Sequence, residues 1–166
     1  MKVAVKDANV LIDLMEADLL GLWFRIGIET HTTDLVIHEI KRPDQSRMVS
    51  TMVQAGNLKV HAFDAKGLIA VSTRAVLLRV SLADASAISL AEEKGAILLS
   101  GDRRVRNGAT ELGLEVKGLL WVFDELVKQS LLVPADAANR LKIVLAAGAR
   151  LPDNECEERL RRWLPR

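Results

Sequence analysis

Tyrosine is absent from this sequence, and phenylalanine and tryptophan contribute only three residues each, so no aromatic platform for stacking single-stranded bases is evident. Cysteine occurs once, as Cys156; this excludes an internal disulfide and makes a reducing interior the expected compartment. Charge of one sign is lacking too. With 23 basic residues against 22 acidic ones, net charge points to neither nucleic acid nor membrane, and only local clusters can do so. No window approaches the roughly 18 consecutive apolar residues of a membrane span. The start, MKVAVKDANV, carries charges where a secretory signal needs an apolar stretch, so a cytoplasmic protein is expected. No repeat, low-complexity tract or linker divides the 166 residues, which suffice for one domain, 1–166, with a sizeable core.

What is present is an alternation of short apolar runs and helical patterns. VAVK reads as a strand, followed by a turn at Asp7–Asn9 and a helix over Val10 to Phe24. Ile28 to Thr33 is β-branched and reads as a second strand, followed by a short helix, DLVIHEIKRP, that contains Glu39 and stops at Pro43. A helix over Gln45 to Ala55 precedes a strand over Leu58 to Phe63. After a long helical stretch, AKGLIAVSTRAVLLRV, a helix from about Asp84 to Lys94 ends at Gly95. The buried strand AILLS, a helix starting near Asp102 and a fifth strand, GLEVKG, come next. The remainder is helical: Leu119 to Ser130, Pro134 to Ala147 and Asp153 to Trp163. This alternation predicts an α/β fold with a mainly parallel sheet covered on both faces. In such sheets ligands bind beyond the carboxyl ends of the strands, where strand order reverses. Asp7 ends one strand, and Ser100 and Asp102 end another; if the two strands are neighbours, their carboxylates share a crevice.

Four acids, Asp7, Glu39, Asp84 and Asp102, fall near strand ends or helix starts. Singly, each has an ordinary reading. Asp7, Asp84 and Asp102 suit helix capping, and Glu39 suits a solvent-facing helix position. Together they would crowd like charge into one cleft, which a hard divalent cation offsets. An all-oxygen set without His or Cys suits Mg²⁺ or Mn²⁺ better than Zn²⁺. The chemistry such a site serves is attack of water on a phosphodiester, with no protein nucleophile.

In order along the chain, VKDANVLIDL, LVIHEI, LADASAISLAEEKGAILLSGDRRVR and LGLEVKG resemble the PIN domain, a family of metal-dependent ribonucleases that includes the VapC-like toxins of toxin–antitoxin pairs. The resemblance runs to about Gly118. It implies a three-layer α/β/α sandwich with a mainly parallel sheet of four or five strands, a core of about 1–118 and a helical C-terminal extension, 119–166, longer than a minimal PIN domain requires. It implies that Asp7, Glu39, Asp84 and Asp102 are catalytic and hold the metal, Mg²⁺ or Mn²⁺, supported by the polar residues Asn9 and Ser100. The function it implies is hydrolysis of RNA as a metal-dependent endoribonuclease, with an antitoxin protein and a second copy of the chain as further partners. Where many relatives carry another acid shortly after the third, this chain has Ser86, which argues against a fully formed second ion site.

Arg103, Arg104 and Arg106 follow Asp102 and are candidates to hold the RNA backbone; the alternative is a solvated helix face paired with Glu111 or Glu92. Lys41 and Arg42 have a weaker claim. Asp13, one turn beyond Asn9, and Asp124 are outside candidates for the acidic rim, and none of His31, His38 and His61 is assigned. The C-terminal ECEERLRRWLPR reads as a helix packed by Leu160, Trp163 and Leu164, in preference to an exposed interface. Two other functions compete: a PIN-like module that binds RNA or a partner without turnover, and a phosphatase with an aspartyl-phosphate intermediate. The latter normally needs a second Asp two residues after the first, where this chain has Asn9.

Overall fold

The computed structural model describes residues 3–164. Met1, Lys2, Pro165 and Arg166, the outermost residues of the expected domain, lie outside the described residues. Five strands, β1 (Val3–Lys6), β2 (Glu29–Thr33), β3 (Leu58–His61), β4 (Ile97–Leu99) and β5 (Val116–Lys117), form one sheet in the order β3-β2-β1-β4-β5. Every pairing is parallel. The expected α/β sandwich is therefore present, with five strands and no antiparallel member.

Strand order reverses between β1 and β4. The chain steps from β1 outward to β2 and β3, then returns to place β4 on the other side of β1. Right-handed crossovers in opposite directions put helices on both faces. On one face α1 (Ala8–Glu16) packs against α2 (Leu20–Trp23), α8 (Leu119–Lys128) and α9 (Pro134–Ala146). On the other, α6 (Leu82–Lys94) lies on β1, β2 and β4 and is flanked by α5 (Ala65–Leu78) and α7 (Arg103–Glu111). The sequence of α6 explains its position: Ala83, Ala85, Ser86, Ala87 and Ala91 are all buried, and small side chains let the helix sit close to the sheet. Gly95 ends it in the left-handed conformation (φ 57°), as its place after Lys94 predicts.

The long first helix expected over Val10 to Phe24 is two helices. Asp18 adopts φ 52°, and the amide of Leu19 reaches back to the carbonyl of Leu14, a helix-ending arrangement that Asp tolerates better than most residues. Apolar spacing continues across the break because both helices bury Leu and Trp into one core, which periodicity alone does not separate. Two further corrections bear on the site. The helix directly after β2, α3 (Asp34–His38), ends one residue before Glu39, which is its C-cap; Pro43 begins α4 (Pro43–Gln54), where a missing N–H costs nothing. And α6 starts at Leu82, capped by the Ser81 hydroxyl, so Asp84 stands in its first turn without being the cap. The last helix, α10 (Asp153–Trp163), packs through half-buried Leu160 and buried Trp163, whose ring lies 5.9 Å from that of Phe123; Leu164, expected to pack with them, is exposed because it stands past the last turn as the C-cap.

Candidate functional site

Asp7 and Ser100 follow adjacent strands, because β1 pairs with β4, and the amide of Asp7 donates to the carbonyl of Leu99. The crevice at the reversal point is thus built by the two segments that the sequence marks. Asp7 is 1% exposed. Its Oδ1 accepts from the backbone N–H of Val10 and caps α1, while its Oδ2 is buried with no hydrogen-bond partner. One oxygen serves the helix, and the other has no partner at hydrogen-bonding geometry. Burial pushes the Asp7 pKa from 3.8 up to about 6; the Ser100 hydroxyl and the Val10 amide pull it down, and the charges of Asp84 and Asp13 push it up again.

Asp84 is the electrostatic centre of the group. Its own pKa is raised by burial and by Asp102, against the opposing pull of Ser81, and its charge in turn raises Asp7 and Glu39. Glu39 is exposed at the end of α3, its carboxyl raised by its partial burial and by Asp84 and lowered by Lys41. Asp102 caps α7 through Oδ1, which accepts from Arg104 and Val105, and its own amide donates to Ser100 Oγ. Asp84 therefore lies within electrostatic reach of each of the other three acids.

Asn9 is exposed and lines a cavity of about 300 Å³ together with Asp13, Asp102, Gly101, Arg150 and Leu151. Asp13 belongs to this crevice. Burial, followed by the charge of Glu16, pushes its pKa from 3.8 to about 6. Its one-turn offset from Asn9 is the signal that finds it. Asp124, by contrast, is not on the acidic rim: Arg159 and Arg162 both pair with it. Ser86 is fully buried, donating to the carbonyl of Ala83 and sharing a 2.6 Å hydrogen bond with Thr33, which caps α3. This hydroxyl pair ties the helix carrying Asp84 to the helix that leads to Glu39.

Lys6, directly before Asp7, is fully buried with its Nζ 3.4 Å from the centre of the Trp23 ring and no hydrogen-bond partner. Burial pulls its pKa well below 10.5, with Asp7 opposing. Since Nζ and the free Asp7 oxygen both lack partners, the two do not bond each other. Among the arginines, Arg103 and Arg106 line a second and larger cavity, whereas Arg104 turns to the carbonyl of Arg79. None of the three pairs with Glu111 or Glu92; Glu92 is held by Arg74. Arg42 pairs with Glu16 and Asp44 and is a structural tether between α1 and α4.

The donor set suits a hard divalent ion: carboxylates, one buried oxygen without a partner, and no His or Cys among them. Among the described residues, no three His, Cys, Asp or Glu side chains already converge around one point. Likewise, no described helix is long and apolar enough to cross a membrane.

A doubly wound parallel sheet with acids gathered at its reversal point defines a class of ligand-binding α/β proteins. Within that class the family is shown by comparison. A family model described as PIN domain (DUF3368) matches residues 3–164, and the chain belongs to the PIN domain family. The endoribonuclease Nob1 of Pyrococcus abyssi (strain GE5 / Orsay) is 29% identical over 107 residues, 62% of this chain and 66% of Nob1. The crystal structure of PAE2754 from Pyrobaculum aerophilum superposes with a TM-score of 0.55 over 76% of this chain and 98% of that one, at 19% identity, a likeness of fold. Together these place the chain in a family of nuclease type.

Proposed function

We propose that the chain is a metal-dependent endoribonuclease whose site is the crevice formed by Asp7, Asp84, Asp102 and Glu39, with Asp13 at its edge. The observation that carries the reading is the free oxygen of Asp7: a carboxylate 1% exposed, with Oδ2 unpartnered and further acids around it, is costly to a protein that makes no use of it. Asp7, Asp84 and Asp102 would hold Mg²⁺ or Mn²⁺, with Glu39 completing the set. A divalent ion supplies there the positive charge that activates water and offsets charge developing on phosphate oxygens. The chain's own contribution is placement. Caps fix Asp7 and Asp102 at the starts of α1 and α7, Ser100 supports both segments, and the Thr33–Ser86 bond sets Glu39 relative to Asp84.

The kinship with Nob1, itself an endoribonuclease, supports RNA as the substrate class. The resemblance to toxin-like ribonucleases extends the proposal to a toxin role, with an antitoxin or a second copy as partner. On that reading, expression of the wild-type chain arrests growth and Asp7→Asn does not.

The second reading is an RNA-binding module with little turnover. It draws on the acids not yet converging on one point and on the neutral Ser86. Calorimetric Mn²⁺ titration and a fluorogenic RNA assay on wild type and Asp7→Asn separate the two. The nuclease predicts metal binding and cleavage in the wild type and at least about a hundredfold loss of cleavage in the folded variant. Metal binding and RNA binding by a wild type that does not cleave would favour the module.

A further inference from the structure

A cavity of about 660 Å³ adjoins the acidic crevice and is used by nothing described so far. It shares Gly101, Leu119, Arg150 and Leu151 with the smaller cavity that holds Asp13 and Asp102, so the two are adjacent. Its character is the opposite of the crevice. Arg103, Arg106, Lys117, Arg150 and Arg159 line it against two carboxylates, Asp124 and Glu155, and Asp124 is already neutralised by Arg159 and Arg162. Arg103 and Arg150 enter no ion pair among the described residues. Arg106 is held in place by donating to the Ser100 carbonyl and rests against Gly118, where a Cβ would come within 3.0 Å of its guanidinium nitrogen. The remaining wall is apolar and includes Trp121, half-buried and packed on Trp23.

We propose that this cleft is a nucleotide subsite for single-stranded RNA: an unstacked base enters against Trp121 while Arg103, Arg106 and Arg150 take the phosphates next to the one lying at the acidic crevice. The inference rests on the nuclease reading and deepens it. A cation-rich cleft beside an acidic site suits a polyanion whose backbone crosses both. A recess of this size accepts a base only when that base is free of a duplex, the usual mode of RNA recognition. Arg150, Leu151 and the start of α10 belong to the C-terminal extension, which thereby completes the substrate path as well as the core.

The test is anisotropy of a fluorescein-labelled single-stranded RNA decamer binding to the full chain in EDTA, where cleavage does not interfere. Wild type is compared with Arg150→Glu, an exposed loop position, and with Lys66→Glu on α5, which lines neither cavity. The expected result is a loss of tenfold or more in affinity for Arg150→Glu, with a salt dependence shallower by about 0.7 in log–log slope, and no change for Lys66→Glu. Single-stranded competitor should displace the probe at least tenfold better than duplex RNA. Equal affinities for wild type and Arg150→Glu would overturn the subsite, as would displacement by a polyglutamate peptide as effective as that by single-stranded RNA. Parallel cleavage assays keep the two claims apart. Unchanged binding by Arg150→Glu with intact cleavage removes the subsite alone; lost binding in a chain that never cleaves removes the nuclease and leaves the cleft.

Discussion

Two clusters of ionisable groups lie at opposite sides of β1 in the sheet, and they are solved in opposite ways. At the open edge, Glu29, His31, Lys59 and His61 satisfy one another: Glu29 pairs with Lys59 at 3.0 Å and with His31, and His31 Nδ1 meets His61 Nε2 at 2.7 Å. Glu29 is accordingly held below its ordinary range by Lys59 and His31. By contrast, Asp7, Asp13, Asp84 and Glu39 have raised pKa values, and none of them enters an ion pair among the described residues. Clustered charge by itself therefore says little. What distinguishes the crevice is charge left unmatched, at a place where α/β sheets put ligands.

The comparison breaks hardest at Asp7. Asp7→Asn should abolish RNA cleavage, yet it should raise the stability of the metal-free protein at neutral pH, the reverse of what removing a matched carboxylate does. A shift from 3.8 to about 6 in a group so buried corresponds to about 3 kcal/mol. The folded state holds the Asp7 proton more tightly than the unfolded state. The stabilisation from that proton is complete below pH ~3.8 and is lost as pH rises through about 6. Thermal melts in EDTA should show the variant ahead by about 2 kcal/mol at pH 7, after allowing for its own unpaired amide, and level with wild type near pH 4. A deficit for the variant at pH 7 would mean that Asp7 is matched after all.

Much of this was legible in the residues. The five strands and the acids at their ends follow from periodicity and local chemistry, and so do the caps at Asp7 and Asp102. The misreadings share a cause. The break at Asp18 is hidden because both helices feed the same core, and the fate of Asp124 depends on arginines 35 and 38 positions away in sequence. Arg150 entered no sequence argument for the same reason: nothing near it in the chain places it beside Asp102, and only the packing of α9 and α10 does so. Local signals identify which groups exist, and tertiary packing decides which of them are matched.

Lys6 sharpens the comparison with a charge of the other sign. Its amine is buried over Trp23 without a hydrogen bond, and folding favours its neutral form. Lys6→Met keeps the volume and removes the buried amine, so stability at pH 7 should rise by about 2 kcal/mol, net of the lost contact with the Trp23 ring. The pH course gives the diagnosis. A lysine with a depressed pKa costs most where the unfolded chain is fully protonated, and the cost fades as pH climbs toward 10.5, so the advantage of the variant should shrink between pH 7 and 10. An advantage independent of pH would assign the gain to packing alone.

The smallest effect belongs to the matched edge. Glu29 accepts from His31 Nε2, which leaves neutral His31 to accept at Nδ1 from His61 Nε2. One added proton is tolerated by exchanging donor and acceptor in the 2.7 Å contact; a second puts two N–H groups face to face and opens it. His61 is already pushed down by burial and by Lys94 and His31, with Glu93 opposing, so folding disfavours its protonation. Stability from this edge is present above the ordinary histidine range and falls as pH drops through it, opposite in sign to the crevice. His61→Gln retains a hydrogen-bonding side chain that does not titrate. It should change stability at pH 7.5 by less than about 1 kcal/mol and flatten the decline between pH 7 and 5. RNA cleavage at pH 7.5 should stay within twofold of wild type, because β2 and β3 carry this cluster at the sheet edge while the acids sit where β1 meets β4. A large loss of cleavage from so distant a change would show that the two regions are coupled through β2, and that the matched cluster takes part in setting the unmatched one.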